Sequence, residues 1–212
     1  MGGTLGRRHR RPHTGWLTTH PGRQAPRTLN RGAVAPSEIA VAGASGLFGK
    51  PGSMSVAEID EVIRRFTTSA RIVVDAGFTG VQIHAAHGYL LSQFLSPLTN
   101  HRTDAFGGTP ERRRRLLVDI ARALRAELGP HTPIAVKLNS ADFQRGGITE
   151  DDSTEVVLAL AEEKIDLLEI SGGNYESGVH GRRGRWCPRV DPRARGILPR
   201  LRQPIPHGYG GR

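Results

Sequence analysis

A single cysteine, Cys187, stands in the whole chain. That excludes an internal disulfide and any zinc or iron–sulfur centre built from several cysteines of this chain. Long apolar runs are also missing. None approaches the roughly 20 residues that cross a bilayer, and the first residues lack the apolar core of a secretory signal. Aromatic residues make up only 5% and hydrophobic residues 37% of the 212 positions. Such a composition is lean for a folded domain but too rich for complete disorder. No Gly-x-Gly-x-x-Gly follows an apolar strand, so a Rossmann dinucleotide site has no support. A cytoplasmic location is the default expectation.

Acidic residues are absent from positions 1–15, which hold four Arg, and nearly absent from 178–212, which hold nine Arg and one Asp. The net charge of +10 therefore resides at the two ends, and the stretch between them is slightly acidic. Basic arms bind phosphate backbones, so a nucleic-acid-binding module is one reading. These ends, however, have no amphipathic period and little aromatic interleaving. Three segments follow: a basic irregular one at 1–15, a folded domain at 16–177 and an irregular Arg-rich tail at 178–212.

Within 16–177, short apolar strands alternate with amphipathic helices. A first strand is expected near Trp16–His20, then a long loop over 25–54. Ser55 and Glu58 form a capping box, and Ile59, Val62, Ile63, Phe66, Ala70, Val73 and Val74 recur at helical spacing up to Gly77. Strands are expected at Val81–Ile83, Pro133–Leu138 and Asp166–Ser171. Helices are expected at Pro110–Leu128 and from Thr149 to about Glu163, with a polar loop after Ile83. This order predicts an α/β fold with a parallel sheet and crossover helices. About four strand–helix units fit in the chain, whereas a complete (β/α)8 barrel takes about 250 residues.

His84, His87 and Tyr89 are expected just after a strand, where barrel enzymes carry their reactive groups. Two imidazoles can hold a carbonyl oxygen and stabilise the charge that develops on it, and a tyrosine hydroxyl can act as general acid. Ordinary hydrogen bonding at a strand end would account for the same triplet. Arg102 and Asp104 are expected to pair and shape a loop, and Arg112–Arg115 to be a solvated helix start.

The string Val81-Gln82-Ile83-His84-Ala85-Ala86-His87-Gly88-Tyr89-Leu90-Leu91-Ser92-Gln93-Phe94-Leu95-Ser96-Pro97 continues into Leu98-Thr99-Asn100-His101-Arg102-Thr103-Asp104-Ala105-Phe106-Gly107-Gly108. It closely resembles the central motif of the Old Yellow Enzyme family of FMN-dependent NADH:flavin oxidoreductases. His20-Pro21-Gly22-Arg23 upstream, and Val136-Lys137-Leu138-Asn139 and Ile170-Ser171-Gly172-Gly173 downstream, match in the family's order. The resemblance implies a partial (β/α)8 TIM barrel, about strands 3–6 of eight. It implies FMN, reduced by NAD(P)H, and a small activated alkene or enone as substrate. His84 and His87 would bind the substrate carbonyl, Tyr89 would protonate the α-carbon, and Lys137 would set a cation beside the flavin.

The chain departs from the family at Leu17, where a flavin-contacting glutamine is expected, and it lacks recognisable versions of two strands on either side. The tail is read as out of frame. One permitted coding of Gly196–Arg202, shifted by one base, spells Glu-Tyr-Phe-Arg-Asp-Phe-Ala, similar to the family's next helix. Pro206–Gly211 treated likewise spells Pro-Met-Val-Thr-Gly-Gly, similar to its seventh strand. The expectation is a family member with weak or no activity on its own.

Overall fold

The computed structural model describes residues 13–19, 33–40 and 50–174. In chain order the elements are β1 (His13–Thr19), β2 (Val34–Ala35), β3 (Gly52–Ser53), α1 (Val56–Asp75), β4 (Phe78–Ala85), α2 (Leu90–Leu95), α3 (Pro110–Leu128), β5 (Ile134–Asn139), α4 (Glu150–Glu162) and β6 (Leu167–Ser171). The main sheet runs β1-β4-β5-β6, every pair parallel. Parallel neighbours need crossovers, and α1, α3 and α4 lie on the connections between successive strands of the sheet. Among the described residues the sheet does not close on itself: β1 and β6 are its edges.

Alternation along the strands divides the sheet into two faces. Val81, Ile83 and Ala85 of β4 and Ile134, Val136 and Leu138 of β5 are at most 1% exposed. They pack with Ile59, Phe66, Leu117, Ile120 and Leu160 in one core. The opposite face carries Gln82, His84, Lys137 and Glu169, and the register sets His84, Lys137 and Glu169 in one row across three strands. The pattern weakens at the edge strand β6, where Leu167 and Ile170 are exposed.

The helices begin where local chemistry says they should. Ser55 caps α1: its hydroxyl accepts from the Glu58 N–H (3.2 Å), while the Glu58 carboxylate accepts from the Ser55 N–H (2.8 Å). Thr149 and Asp152 form the same reciprocal box on α4. Pro110 opens α3, where its missing N–H costs nothing, and Gly129 at φ 75° closes it. Arg102 pairs with Asp104 at 2.5 Å, as the sequence suggested, and also donates to the carbonyls of Pro36 and Met54. One buried guanidinium thus ties three loops. Gly107 packs so closely on Arg102 that a β-carbon there would overlap the Arg102 Cβ and carbonyl oxygen.

Four expectations need correction. The loop over 25–54 is broken by β2 and β3, which pair in parallel (Val34 with Gly52, Ala35 with Ser53); residues 25–32 and 41–49 lie outside the described ones. The polar loop after Ile83 contains the short helix α2, whose Leu90, Leu91, Phe94 and Leu95 are buried. Strand β4 extends from Phe78 to Ala85, so His84 lies inside the strand and not after it. Arg113 is not solvated: it falls on the buried stripe of α3 with Leu116, Leu117 and Ile120. There its Nε donates to the Leu95 carbonyl (2.9 Å) and its Nη1 to that of Gly108 (2.8 Å).

Candidate functional site

The polar face gathers its chemistry at the C-terminal ends of β4, β5 and β6, the end where parallel α/β sheets place ligands. His84, one residue from the end of β4, is 8% exposed. Its Nδ1 accepts from the Ala86 N–H at 3.3 Å. That contact places the ring proton of the neutral imidazole on Nε2, which makes Nε2 a donor. The His84 ring meets His87 edge-on at 5.4 Å between centroids and Tyr89 at 4.7 Å. The three residues singled out from the sequence are therefore brought together.

The turn that does this is unusual. His87 has φ 61° and Gly88 φ 78°, two left-handed residues in succession. A non-glycine residue pays about 1–2 kcal/mol for that conformation, so something must hold His87 there. Asn139, fully buried at the end of β5, accepts from the His87 N–H through Oδ1 (3.2 Å). Its amide nitrogen donates to the Gly173 carbonyl (3.0 Å) beyond β6. The His87 side chain is held as well, with Nε2 2.5 Å from the Ser171 hydroxyl. The ends of three strands are thus braced through one asparagine and one serine. Tyr89 follows as the N-cap residue of α2 in extended backbone (φ −74°, ψ 172°).

Lys137, also singled out from the sequence, lies in the His84 row, inside β5. Its ammonium is 2.7 Å from Glu169 Oε1, and the other Glu169 oxygen accepts from Gln82 Nε2 at 2.8 Å. The hydrogen bond from Lys137 is the main reason the Glu169 carboxyl is held below the usual carboxylate range; partial burial opposes it, and Gln82 adds to the lowering. Leu17 lies in β1 with its Cα in register with Val81. Among the described residues no cluster of His, Cys, Asp or Glu could hold a metal, and no helix is long and apolar enough to cross a membrane.

Sequence reasoning missed Glu169, Gln82, Asn139 and Ser171 as site residues. The signal was present in the strand period: 82 and 84, 137 and 139, and 169 and 171 share a face once the parallel register is known. Pairing partners and register are tertiary facts, and neither can be read from one strand at a time.

The family described as NADH:flavin oxidoreductase / NADH oxidase matches residues 18–195. The match reaches past Ser177 into the Arg-rich tail, which lies outside the described residues. An NADH-dependent flavin oxidoreductase of Neonectria sp. (strain DH2) is 42% identical over 173 residues, covering 74% of this chain and 22% of that protein. Among solved structures, a 2-naphthoyl-CoA reductase in complex with 2-naphthoyl-CoA superposes with a TM-score of 0.67 at 34% identity, covering 73% of this chain and 24% of the other. The Old Yellow Enzyme homologue from Zymomonas mobilis gives 0.66 at 29% identity, with 77% and 49% covered. The fold is part of a (β/α)8 TIM barrel, and the chain spans between about a fifth and a half of these relatives' lengths. None of these matches supports the nucleic-acid reading.

Proposed function

Because the chain belongs to the NADH:flavin oxidoreductase / NADH oxidase family, we propose that it carries the substrate end of an ene-reductase, an enzyme that reduces an activated C=C bond with NAD(P)H through FMN. The observation that supports this best is that the His84 ring meets both His87 (5.4 Å between centroids) and Tyr89 (4.7 Å), beside a turn held in left-handed backbone. Strain of that kind concentrates at functional sites.

In this reading His84 Nε2–H donates to the substrate carbonyl oxygen. His87 supplies the second contact, either from Nδ1–H while Ser171 donates to Nε2 or by exchanging Ser171 for substrate. Reduced FMN, when bound, supplies the hydride that reaches the β-carbon, and NAD(P)H restores it. The π electron pair then moves onto the α-carbon and carbonyl oxygen, and the two imidazoles stabilise that enolate charge. The Tyr89 hydroxyl delivers a proton to the α-carbon and regains one from water. The donor set fits the ring end of FMN: a lysine ammonium in the His84 row suits the anionic pyrimidine of a reduced flavin.

By itself this stretch of chain retains FMN weakly and turns over little, since the described sheet has two open edges. Adding FMN, desalting and reading the flavin absorbance tests that claim; stoichiometric retained flavin overturns it. A chimera tests the reaction. Residues 78–174 replace the matching stretch of a complete relative, and NADH-driven reduction of a cyclic enone is the expected result. A folded, FMN-loaded chimera that oxidises NADH but leaves enones untouched overturns the ene-reductase reading.

A further inference from the structure

Glu169 is an odd residue to find on this face. It stands on an edge strand at the mouth of the site, where a carboxylate repels an anionic ligand, yet both of its oxygens are engaged. Oε1 takes the Lys137 ammonium at 2.7 Å, and Oε2 takes the Gln82 amide at 2.8 Å. Gln82 lies two strands away on β4, in the row of Ala135 and Leu167. The small Ala135 side chain between them lets Gln82 and Glu169 meet across β5. An exposed ion pair alone contributes about 0–1 kcal/mol and often nothing measurable. Here the carboxylate is also tied to Gln82 of β4, which holds it in place for the lysine of β5.

We propose that Glu169 is a positioning residue for Lys137: it clamps the ammonium in the His84 row and competes for it with an anionic ring bound on that face. The inference rests on the reading that flavin lies over this face. An oxidised, neutral ring leaves Lys137 with Glu169. A reduced, anionic ring must draw the ammonium away from a carboxylate that stays behind at close range. Glu169 thereby limits how strongly the face favours reduced over oxidised flavin, because a ligand shifts an equilibrium only by its differential affinity for the two states.

The test uses the full chain and the variant Glu169→Gln, which keeps the shape and still accepts from Gln82. Glu169 is 45% exposed at its side chain, so the exchange is tolerated. The chain has three lysines, Lys50, Lys137 and Lys164, so acylation by an amine-reactive ester at fixed pH, read by peptide mass spectrometry, resolves each one. Lys137 should label about threefold faster in the variant, with Lys164 as internal reference, as expected for release of a partly buried pair. An unchanged Lys137 rate overturns the clamp. The second readout is FMN affinity by fluorescence quenching, and by absorbance for flavin reduced with dithionite. The variant should gain about tenfold in affinity for reduced FMN relative to oxidised. An equal change for both forms overturns the competition. A chain that binds neither form is in line with its open sheet edges, so the comparison is then made in the chimera carrying residues 78–174, where failure of both forms to bind overturns the flavin reading, while the labelling rate still decides whether Glu169 clamps Lys137.

Discussion

The two faces of strand β4 differ residue by residue. Ile83 has no exposed surface and sits in a core shared with all four described helices, whereas its neighbour His84 faces a second imidazole, a phenol and a row of charge. On the first face every partner is apolar and interchangeable within limits of volume. On the second each partner is specific: Ala86 for His84, Ser171 and Asn139 for His87, Glu169 for Lys137. Apolar packing is concentrated on the helix-covered face and hydrogen-bonding side chains on the other, and the link between them is the strand period of two. A shift of one residue in register would exchange the faces.

The sharpest way to break this division is to remove core volume. Leu117→Ala, at a side chain 1% exposed, should cost about 2–5 kcal/mol in urea unfolding. The arrangement of His84, His87 and Tyr89 should survive wherever the chain remains folded; a loss under 1 kcal/mol would show that the helix-covered face is not the main source of stability. Asn139→Ala comes next. Asn139 belongs to the polar face yet is fully buried, and the exchange removes its hydrogen bonds with the His87 N–H and the Gly173 carbonyl. The expected loss is about 1–3 kcal/mol, with faster hydrogen exchange at the His87 amide. Unchanged exchange there would deny that Asn139 holds the turn.

Backbone strain supplies a test of opposite sign. His87→Gly should be more stable than His87→Ala by about 1–2 kcal/mol, because only glycine takes φ 61° without a steric penalty. Equal stability of the two would mean the turn relaxes once the imidazole is gone. The smallest effect is electrostatic. The Glu169 carboxyl is lowered in the folded protein by Lys137 and Gln82, so its contribution is present above the ordinary carboxylate pKa. It fades as pH falls through the lowered value. The stability gap between the parent chain and Glu169→Gln should be small at neutral pH, since the pair is partly exposed, and should vanish in acid. A gap that grows on acidification would contradict the assigned direction.

Much of the helix-covered face was legible in the sequence. The capping boxes at Ser55 and Thr149, the periodic apolar positions of α1 and α3 and the stop at Gly129 are local signals, and the structure follows them to within a residue or two. Helix α2 was hidden because its six residues are too short to display a period, and β4 was shortened because Phe78, Thr79 and Gly80 lack the run of branched residues that marks a buried strand. On the chemical face, the sequence singled out His84, His87, Tyr89 and Lys137, and these lie together. It could not supply Glu169 or Ser171. A glutamate in an edge strand looks like solvated surface until the register places it beside a lysine, and a serine becomes informative only when an imidazole from a residue 84 positions earlier reaches it. Arg113 was misjudged for the same reason: a run of four arginines looks uniformly solvated until the helix is docked and one of them turns inward.

The central proposal is that the polar face binds a substrate carbonyl and supplies the proton. The most direct measurement is steady-state enone reduction by the chimera carrying residues 78–174, compared with its Tyr89→Phe form and its His84→Ala, His87→Ala form. The account predicts that Tyr89→Phe lowers kcat by about 100-fold or more with the enone KM little changed, and that the double histidine exchange raises the enone KM and lowers kcat together, while reduction of the flavin by NADH proceeds as before. Enone turnover that is the same in all three proteins would contradict it.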